Sequence, residues 1–301
     1  MKKVLVTGAR GFIGRHCLPI LLTRGYNVHA ADSRGSVENV PDVRWHQVNL
    51  FDSLEIRRLM GEVRPTHLLH FAWFTTPGEY WTARENLDWV RASLDLLQAF
   101  EELGGERVVM AGTCAEYDWR YGYCSEQITP LGPATLYGTC KHSLQILLAS
   151  FARQTGLSAA WGRIFFLYGP HEHPSRMISS VIISLLKGEP ARCSHGNQIR
   201  DFLYVEDVAD AFVALLESSV TGPVNVASGY PVVLKDVICK VGGKLGRSDL
   251  IQLGILPVPA NEPQLLVADV SRLTNEIRWL PKYNLDRGLD KTIDWWKRSL
   301  G

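Results

Sequence analysis

The sequence has no excess of charge of either sign and no long apolar run. Its 301 residues include 32 basic and 31 acidic side chains, for a formal net charge of +1. No whole-protein field therefore attracts nucleic acid or an anionic membrane, and any anionic ligand must be held by local groups. No apolar stretch approaches the roughly 20 residues needed to span a bilayer. We expect neither a nucleic-acid partner nor a membrane.

Closely spaced cysteines and a leader segment are also lacking. The cysteines include no C-x-x-C pair and no Cys/His group at zinc spacing, which predicts reduced thiols and no metal site. We interpret HEHPSR (171–176) as a polar loop. The first residues lead directly into strand-like VLVTG without the features of a signal peptide. Together these absences predict a cytoplasmic protein.

Short apolar runs alternate with helical patterns through the first half of the chain. Strand-like runs occupy 3–8, 26–32, 43–48, 66–72, 106–112 and 158–167, and helix-like segments occupy 12–24, 53–63, 84–103 and 137–155. Strands that are apolar almost throughout, separated by helices, indicate a parallel sheet covered on both faces. The pattern predicts an α/β fold with a Rossmann-type, doubly wound sheet.

After about residue 168 the alternation becomes irregular, with joints rich in proline and glycine. This change predicts a smaller C-terminal mixed α/β lobe that binds substrate. We expect a dinucleotide-binding domain over 1–168, to which 196–228 returns, and a substrate-binding lobe formed by 169–195 and 229–301.

The first chemical signal is the glycine-rich VTGARGFIG, between the first predicted strand and helix. Gly8, Gly11 and Gly14 have the spacing G-x-x-G-x-x-G. Such a turn gives a pyrophosphate access to the backbone and to the N–H groups of the helix. Asp32 ends the second predicted strand 24 residues after Gly8, where a carboxylate can accept a hydrogen bond from an adenosine ribose. These features predict dinucleotide binding.

The identity of the dinucleotide depends on three side chains. Asp32 would repel a 2′-phosphate and favours NAD(H), whereas Arg10 and Arg34 could bind that phosphate, which leaves NADP(H) open. The alternative is that both arginines are solvated side chains at the edge of the adenine site and have no binding role. We favour NAD(H).

The second chemical signal combines a strand end with the first turn of a helix. Thr113 follows the strand-like ERVVMAG, Tyr137 comes 24 residues later, and Lys141 follows at i+4, which places the last two on one helix face. A phenol has a pKa near 10 and needs a nearby cation to act as a proton shuttle at neutral pH. The pattern predicts proton transfer by Tyr137 while hydride moves between substrate and nicotinamide.

Over nearly its whole length the chain resembles the extended short-chain dehydrogenase/reductase family, in particular its nucleotide-sugar epimerases, dehydratases and reductases. The resemblance rests on TGARGFIG, Asp32, HFA (70–72), AGTCAEY (111–117), YGTCK (137–141), GRIFFLYGP (162–170), RDFLYVEDVADA (200–211), NVASG (225–229) and the closing WLPKYNLDRGLDKTIDWW. It implies a nucleoside-diphosphate sugar as substrate. It also implies a homodimer formed through helices 84–103 and 137–155.

The motifs and the resemblance together assign roles to individual residues. The resemblance implies that Thr113 and Tyr137 are catalytic, and that Lys141 binds the nicotinamide ribose and tunes Tyr137. The predicted contacts to the dinucleotide are Gly8, Arg10, Gly11, Phe12, Ile13, Gly14, Asp32, Arg34, Phe71, Ala72, Tyr137 and Lys141. The predicted contacts to substrate are Glu79, Tyr80, Thr113, Phe166 and Arg200. Arg200 would bind the diphosphate through its planar fork, and its alternative is an ion pair with Asp201 or Glu206.

Three departures from the family pattern bear on the reaction. The dehydratase acids that follow the catalytic threonine are replaced by Cys114 and Ala115, and Glu116 is displaced by one residue. On a strand that shift turns a side chain to the opposite face, which disfavours dehydration unless a local bulge returns Glu116 to the site. Phe166 and Trp89 replace asparagines, which suggests an unusual or deoxygenated sugar, or simply core packing.

The predicted function is therefore reduction of a nucleotide-linked 4-keto hexose. The alternative is a 4-epimerase that retains NAD+. A 4,6-dehydratase and a cofactor-binding scaffold without catalysis are the remaining alternatives.

Overall fold

The computed structural model describes residues 2–34, 40–258 and 262–301. The strands in these ranges are β1 (Lys3–Thr7), β2 (Asn27–Asp32), β3 (Val43–Gln47), β4 (His67–His70), β5 (Arg107–Thr113), β6 (Tyr123–Cys124), β7 (Ser158–Ile164), β8 (Phe166–Tyr168), β9 (Ala191–Arg192), β10 (Ile199–Tyr204), β11 (Gly222–Val226), β12 (Pro231–Val233), β13 (Ile251–Gln252) and β14 (Leu265–Ala268). The helices are α1 (Gly14–Thr23), α2 (Ser53–Val63), α3 (Glu85–Glu102), α4 (Leu136–Thr155), α5 (Met177–Leu186), α6 (Val205–Glu217), α7 (Leu234–Leu245) and α8 (Leu285–Leu300).

A seven-stranded parallel sheet forms the main layer, in the order β11-β7-β5-β4-β1-β2-β3. Its inner strands are apolar because both faces are covered. Helices α1 and α6 pack on one face, and α2, α3 and α4 pack on the other. Every residue of the inner strand β5 is buried. The prediction of a Rossmann-type, doubly wound sheet is confirmed.

Local capping sets the start of the helix that carries Tyr137. The Thr135 hydroxyl accepts a hydrogen bond from the Gly138 N–H, and α4 ends at Gly156 in the left-handed conformation, with φ of 79°. Such a cap satisfies backbone groups that a helix end leaves unpaired. Because Tyr137 lies in the first turn of α4, the cap also places its side chain.

The second lobe is built on a smaller mixed sheet in the order β12-β10-β14-β6, with β8 also pairing with β10. Helices α5, α7 and α8 share an apolar core of their own. The predicted return of 196–228 is divided. Helix α6 and strand β11 pack into the main layer, whereas β10 lies in the second sheet. The strand expected over 158–167 breaks at Phe165, so that Phe166 also belongs to the second sheet.

Two features relate to the composition. All six cysteines are free thiols; five are buried and Cys239 is exposed. Across the ranges that the structure describes, no helix is both long and apolar enough to cross a membrane.

Candidate active site

A cavity of about 1190 Å³ opens at the carboxyl edge of the main sheet, where the second lobe faces it. Ligands of open α/β sheets bind at this edge. The predicted site residues that line it are Gly8, Gly11, Phe12, Ile13, Gly14, Asp32, Arg34, Phe71, Ala72, Tyr80, Thr113, Tyr137, Phe166 and Arg200. Arg10, Glu79 and Lys141 lie outside this wall.

The glycine loop is packed too tightly for side chains. Gly8 has φ of +64°, and a Cβ added there would lie 2.7 Å from the Ala72 backbone nitrogen. A Cβ at Gly14 would lie 2.3 Å from the Gly8 carbonyl oxygen. The loop therefore crosses the end of β4 closely and leads into the N-terminus of α1, which leaves backbone N–H groups facing the cavity. This cradle fits a dinucleotide pyrophosphate.

Replacement of Gly8 by alanine is expected to weaken dinucleotide binding by about tenfold or more, a loss of about 1.4 kcal/mol. The new Cβ would meet Ala72 backbone atoms in a conformation that L-residues avoid, so the loop must move. Titration calorimetry with NAD+ would measure the change. Gly25→Ala is the matched control, because Gly25 also has positive φ (+77°) but no atom within 4 Å of the added Cβ. Equal affinities of the two variants would contradict the prediction.

Asp32 and Arg34 pair with each other at the rim of the cavity. The Asp32 carboxylate accepts hydrogen bonds from the Arg34 backbone nitrogen at 3.0 Å and from Arg34 Nε at 3.2 Å. Both residues line the cavity. Because the carboxylate holds the guanidinium and would repel a 2′-phosphate, this rim favours an unphosphorylated adenosine ribose.

Arg10 does not reach the cavity, contrary to the prediction. Its guanidinium lies 4.9 Å above the ring of Trp45 on β3. It is nine-tenths buried, and its Nε and Nη2 atoms have no hydrogen-bond partner among the described residues. The side chain extends over the outer strand because the indole face offers the cation a partner there. A role for Arg10 in holding a 2′-phosphate is therefore not supported.

Thr113 and Tyr137 are brought together by β5 and α4. Thr113 ends β5, and its hydroxyl accepts a hydrogen bond at 3.2 Å from Ala115 N in the 3₁₀ turn Cys114–Glu116. Helix α4 approaches this turn closely at Gly138, where a Cβ would lie 2.4 Å from the Ala115 carbonyl oxygen. The Thr113 hydroxyl lies close enough to Tyr137 to influence its phenol. Burial raises the pKa of the Tyr137 phenol, and the nearby Thr113 hydroxyl opposes that rise.

Lys141 lies on the same helix face as Tyr137 but does not point into the cavity. Its Nζ donates to the Ala111 carbonyl at 2.8 Å and lies 3.6 Å from the ring centre of Trp73. Burial lowers the pKa of Lys141 to about 7, and the negative charge of Glu116 opposes that change. The tuning of the Tyr137 phenol by Lys141 stays a prediction, and in this arrangement the ammonium donates to a backbone carbonyl.

Glu116 is a structural carboxylate. It is fully buried; its Oε1 accepts from Thr113 N at 2.8 Å and Trp161 Nε1 at 2.9 Å, and its Oε2 accepts from Arg163 Nε at 2.8 Å. The prediction that Glu116 faces away from the reacting centre holds for a different reason. A 3₁₀ turn replaces the assumed strand, and the turn directs the carboxylate to Arg163 beneath the sheet edge.

An aromatic cluster surrounds Tyr137. The ring centre of Tyr137 lies 4.9 Å from that of Tyr80, 5.8 Å from Trp81 and 6.4 Å from Trp73. Trp119 packs against Trp81 at 6.0 Å. All of these aromatic side chains line the cavity. The roles of Trp73 and Trp119 were not predicted, although Trp73 directly follows the HFA motif.

Arg200 lines the cavity but already has a carboxylate partner. Its Nη2 donates to Glu262 and its Nη1 donates to the Ile199 carbonyl at 2.8 Å. The guanidinium also lies 5.2 Å above the ring of Phe166. The predicted alternative partners are engaged elsewhere: Asp201 accepts from backbone N–H groups at 228, 229 and 268, and Glu206 accepts from Tyr204.

Glu79 is exposed and does not line the cavity, so the structure does not support its predicted contact to substrate. The neighbouring Tyr80 points inward instead, because the loop before α3 turns one side chain to the core and the other to solvent. Arg176, which was not predicted, precedes α5 and lies 5.4 Å above the Tyr80 ring at the cavity wall. It therefore supplies a positive charge beside Tyr80.

The segment 171–176 forms part of the wall, and the side chains of 171–173 are already bonded within the protein. His171 bonds to Arg15 at 2.5 Å, Glu172 accepts from Ser179 at 2.8 Å, and His173 bonds to Ser175 at 2.8 Å. Burial raises the pKa of Glu172 to about 7, against the bond from Ser179.

Over nearly its whole length the chain is similar to several enzymes named for nucleotide sugars. UDP-glucuronic acid decarboxylase 1 from Xenopus tropicalis is 27% identical and aligns with 99% of this chain and 73% of its own length. The Thermus thermophilus UDP-glucose 4-epimerase, solved as a complex with NAD, is 28% identical with a TM-score of 0.87, covering 98% and 99% of the two chains. MoeE5 in complex with UDP-glucuronic acid and NAD is 29% identical with a TM-score of 0.86, covering 99% of each.

The family assignment rests on the larger part of the chain. A model described as the NAD dependent epimerase/dehydratase family matches residues 4–227. The match extends from β1 through β11, and so includes the glycine loop, Asp32, Thr113 and Tyr137. The chain belongs to the NAD dependent epimerase/dehydratase family.

Proposed function

We propose that this protein is an NAD(H)-dependent enzyme that reduces the 4-keto group of a nucleotide-linked hexose or deoxyhexose. The alternative is a 4-epimerase acting on a nucleotide sugar. The observation that carries the proposal is that Thr113 and Tyr137 line the same cavity as the glycine loop and Asp32. Hydroxyl groups that can hold and protonate a substrate oxygen thus share one space with a dinucleotide cradle.

The residues present fit NAD(H) better than NADP(H). Gly8 and Gly14 leave room for a pyrophosphate, and Asp32 is placed for an adenosine ribose. Arg34 is held by Asp32, and Arg10 lies over Trp45 outside the cavity. Two similar proteins, the Thermus thermophilus UDP-glucose 4-epimerase and MoeE5, were solved as complexes with NAD. When bound, a nicotinamide ring supplies or accepts the hydride.

The chain's own residues supply the proton and hold the substrate oxygen. The Thr113 hydroxyl donates to the carbonyl oxygen of the sugar, and the Tyr137 phenol transfers its proton to that oxygen as the carbonyl becomes an alcohol. A phenol has an ordinary pKa near 10 and is protonated at neutral pH, and burial raises the pKa of Tyr137 further. A protonated phenol suits reduction, whereas an epimerase must first remove a proton from its substrate.

The aromatic cluster also favours delivery of hydride to one face. Tyr80, Trp81 and Trp73 pack around Tyr137 with ring centres 4.9 to 6.4 Å away. A 4-epimerase must turn its keto sugar over between the two hydride transfers, and rings on several sides restrict that rotation. A ketoreductase requires only one orientation.

The described part of the chain places no carboxylate beside Thr113 that could serve a dehydration reaction. Among the described residues, the carboxylates at the cavity wall are Asp32, Glu172 and Glu262. They are held by Arg34, Ser179 and Arg200 respectively. Cys114 and Ala115 occupy the positions next to Thr113, and Glu116 is buried against Arg163. The proposed reduction therefore uses the hydroxyl groups of Thr113 and Tyr137 and no carboxylate.

The proposed substrate class follows from the charges at the wall. Arg176 and Arg200 lie in the lobe that faces the dinucleotide cradle, and guanidinium groups suit phosphate oxygens. The similar protein MoeE5 was solved with UDP-glucuronic acid and with UDP-glucose. A nucleoside-diphosphate sugar would place its diphosphate at these arginines and its sugar at the aromatic cluster.

The first test is to denature freshly purified protein and identify any released dinucleotide by mass spectrometry, with its amount per chain. Protein that is largely empty and then oxidises added NADH with a 4-keto nucleotide sugar would support the reductase. Near-stoichiometric NAD+, together with interconversion of UDP-glucose and UDP-galactose without added cofactor, would overturn it in favour of the epimerase.

We also propose that the chain forms a homodimer through α3 and α4. Leu87, Ile146 and Leu147 are each about half exposed on these neighbouring helices, at 59%, 52% and 45%, and apolar side chains at such a face favour association. Size-exclusion chromatography of the same preparation would show a dimer. A monomer at micromolar concentration would contradict the proposal.

A further inference from the structure

The ammonium of Lys141 lies behind a tryptophan. Trp73 lines the cavity, whereas Lys141 does not and is only 4% exposed. The indole face lies 3.6 Å from Nζ, and the Ala111 carbonyl accepts the hydrogen bond at 2.8 Å on another side. A second indole, that of Trp161, lies 5.9 Å from the same atom. The indole of Trp73 thus separates the ammonium from cavity water.

A buried amide fixes the orientation of Trp73. Asn86, in the first turn of α3, is fully buried, and its Oδ1 accepts from Trp73 Nε1 at 2.8 Å. Its Nδ2 donates to the carbonyls of Tyr80 and Ala83, both at 2.8 Å. With both amide protons and the oxygen engaged, Asn86 has a single fitting orientation. The same side chain therefore holds the indole over Lys141 and the loop that carries Tyr80 and Trp81.

We propose that Trp73, held by Asn86, is a positioning residue for Lys141: it fixes the ammonium on the Ala111 carbonyl and excludes cavity water from it. The inference rests on the proposed function for its catalytic meaning, since it concerns the lysine beside the proton-donating Tyr137. Its physical content, that one indole controls the protonation of Lys141, is independent of which sugar is turned over.

Burial, rather than a neighbouring charge, is the main influence on the pKa of Lys141. Glu116, in the turn after β5, attracts the ammonium but shares its charge with Arg163. His70, at the end of β4, bonds to Thr7 at 2.7 Å and Ser93 at 2.9 Å; burial lowers its pKa to about 3, so it stays neutral. Tyr137 is neutral at pH 7, since an ordinary phenol has a pKa near 10 and burial raises that of Tyr137 further. Burial is also the first cause of the lowered pKa of Lys141.

Truncation of Trp73 has two opposite effects. Loss of the indole face removes a partner of the cation, and loss of its bulk admits water to the ammonium. Because burial dominates, the second effect should prevail and the pKa of Lys141 should rise from about 7 towards its ordinary value of 10.5. Trp73→Phe keeps an aromatic ring between the ammonium and the cavity, and should keep the parent behaviour.

The experiment is trace acetylation of the intact protein with acetic anhydride across a pH series. Mass spectrometry of the peptide containing Lys141 gives the pH midpoint of its reactivity, with exposed Lys187 as internal reference. The parent midpoint is expected near 7. Trp73→Ala should raise it by about one to two pH units, and Asn86→Ala should raise it by a smaller amount because the indole loses its anchor.

Trp45→Ala is the matched control, since this tryptophan packs on Arg10 rather than on Lys141, and its midpoint should equal that of the parent. Midpoints for Trp73→Ala and Asn86→Ala that stay at the parent value would overturn the inference. The measurement needs no substrate, so it stands even if no nucleotide sugar is reduced. If reduction does occur, the pH profile of turnover should move upward with the labelling midpoint.

Discussion

Replacement of Tyr137 by phenylalanine is expected to lower turnover of the 4-keto nucleotide sugar by about 10²–10⁴-fold, the usual contribution of a general acid. The phenol is the proton donor in the proposed reaction, and it lines the same cavity as Thr113. The ring itself stays packed against Tyr80 at 4.9 Å. The effect should therefore appear in kcat, while the Kd for NADH changes little. Steady-state kinetics and a fluorescence titration with NADH measure the two quantities.

Tyr26→Phe is the matched control for that loss. Tyr26 is also buried, and its hydroxyl has no hydrogen-bond partner among the described residues. Removing that hydroxyl should leave turnover at the parent level. Retention of more than about a tenth of the parent kcat by Tyr137→Phe would contradict a general-acid role and would favour a scaffold that binds cofactor without catalysis.

Replacement of Arg163 by methionine is expected to lower the free energy of unfolding by about 3–5 kcal/mol. The Arg163–Glu116 pair is buried, with side-chain exposures of 1% and 0%, and Nε lies 2.8 Å from Oε2. Loss of the guanidinium leaves an uncompensated carboxylate beneath the edge of the main sheet. Urea unfolding followed by circular dichroism would measure the change.

An exposed ion pair provides the comparison for that variant. Arg57 and Glu102 also lie 2.8 Å apart, but their side chains are 55% and 40% exposed. Arg57→Met should leave the unfolding curve unchanged within error, because solvent screens such pairs. If Arg163→Met had no more effect than Arg57→Met, the buried pair would not be a stabilising element of the sheet edge.

The main sheet could be predicted because its inner strands are buried along almost their whole length. A strand covered on both faces must be apolar nearly throughout, so β1, β4 and β5 are visible in the sequence as apolar runs. The second sheet was not predicted strand by strand. Its strands are short and are recruited from distant segments, with β6 pairing with β14, and no local pattern records such a pairing.

Positions that the backbone sets were easier to predict than the directions of long side chains. Gly8, Gly14 and Asp32 are placed by backbone turns and by the end of a strand, which the sequence pattern locates directly. Arg10, Lys141 and Glu79 have long or solvent-facing side chains whose direction depends on neighbours from other elements. The guanidinium of Arg10 lies over the ring of Trp45. The ammonium of Lys141 donates to the Ala111 carbonyl and lies against the ring of Trp73.

By itself, the sequence determined the parallel sheet, the position of the glycine loop after its first strand and the pairing of Thr113 with Tyr137 at the carboxyl edge. Those features follow from apolar periodicity and from residue types that only certain backbone conformations accept. Only the tertiary structure decided which charges face the cavity. Glu116 forms a buried ion pair with Arg163, Arg200 forms one with Glu262, and the ammonium of Lys141 lies against the ring of Trp73. A buried charge is stabilised by whichever partner the fold brings within reach.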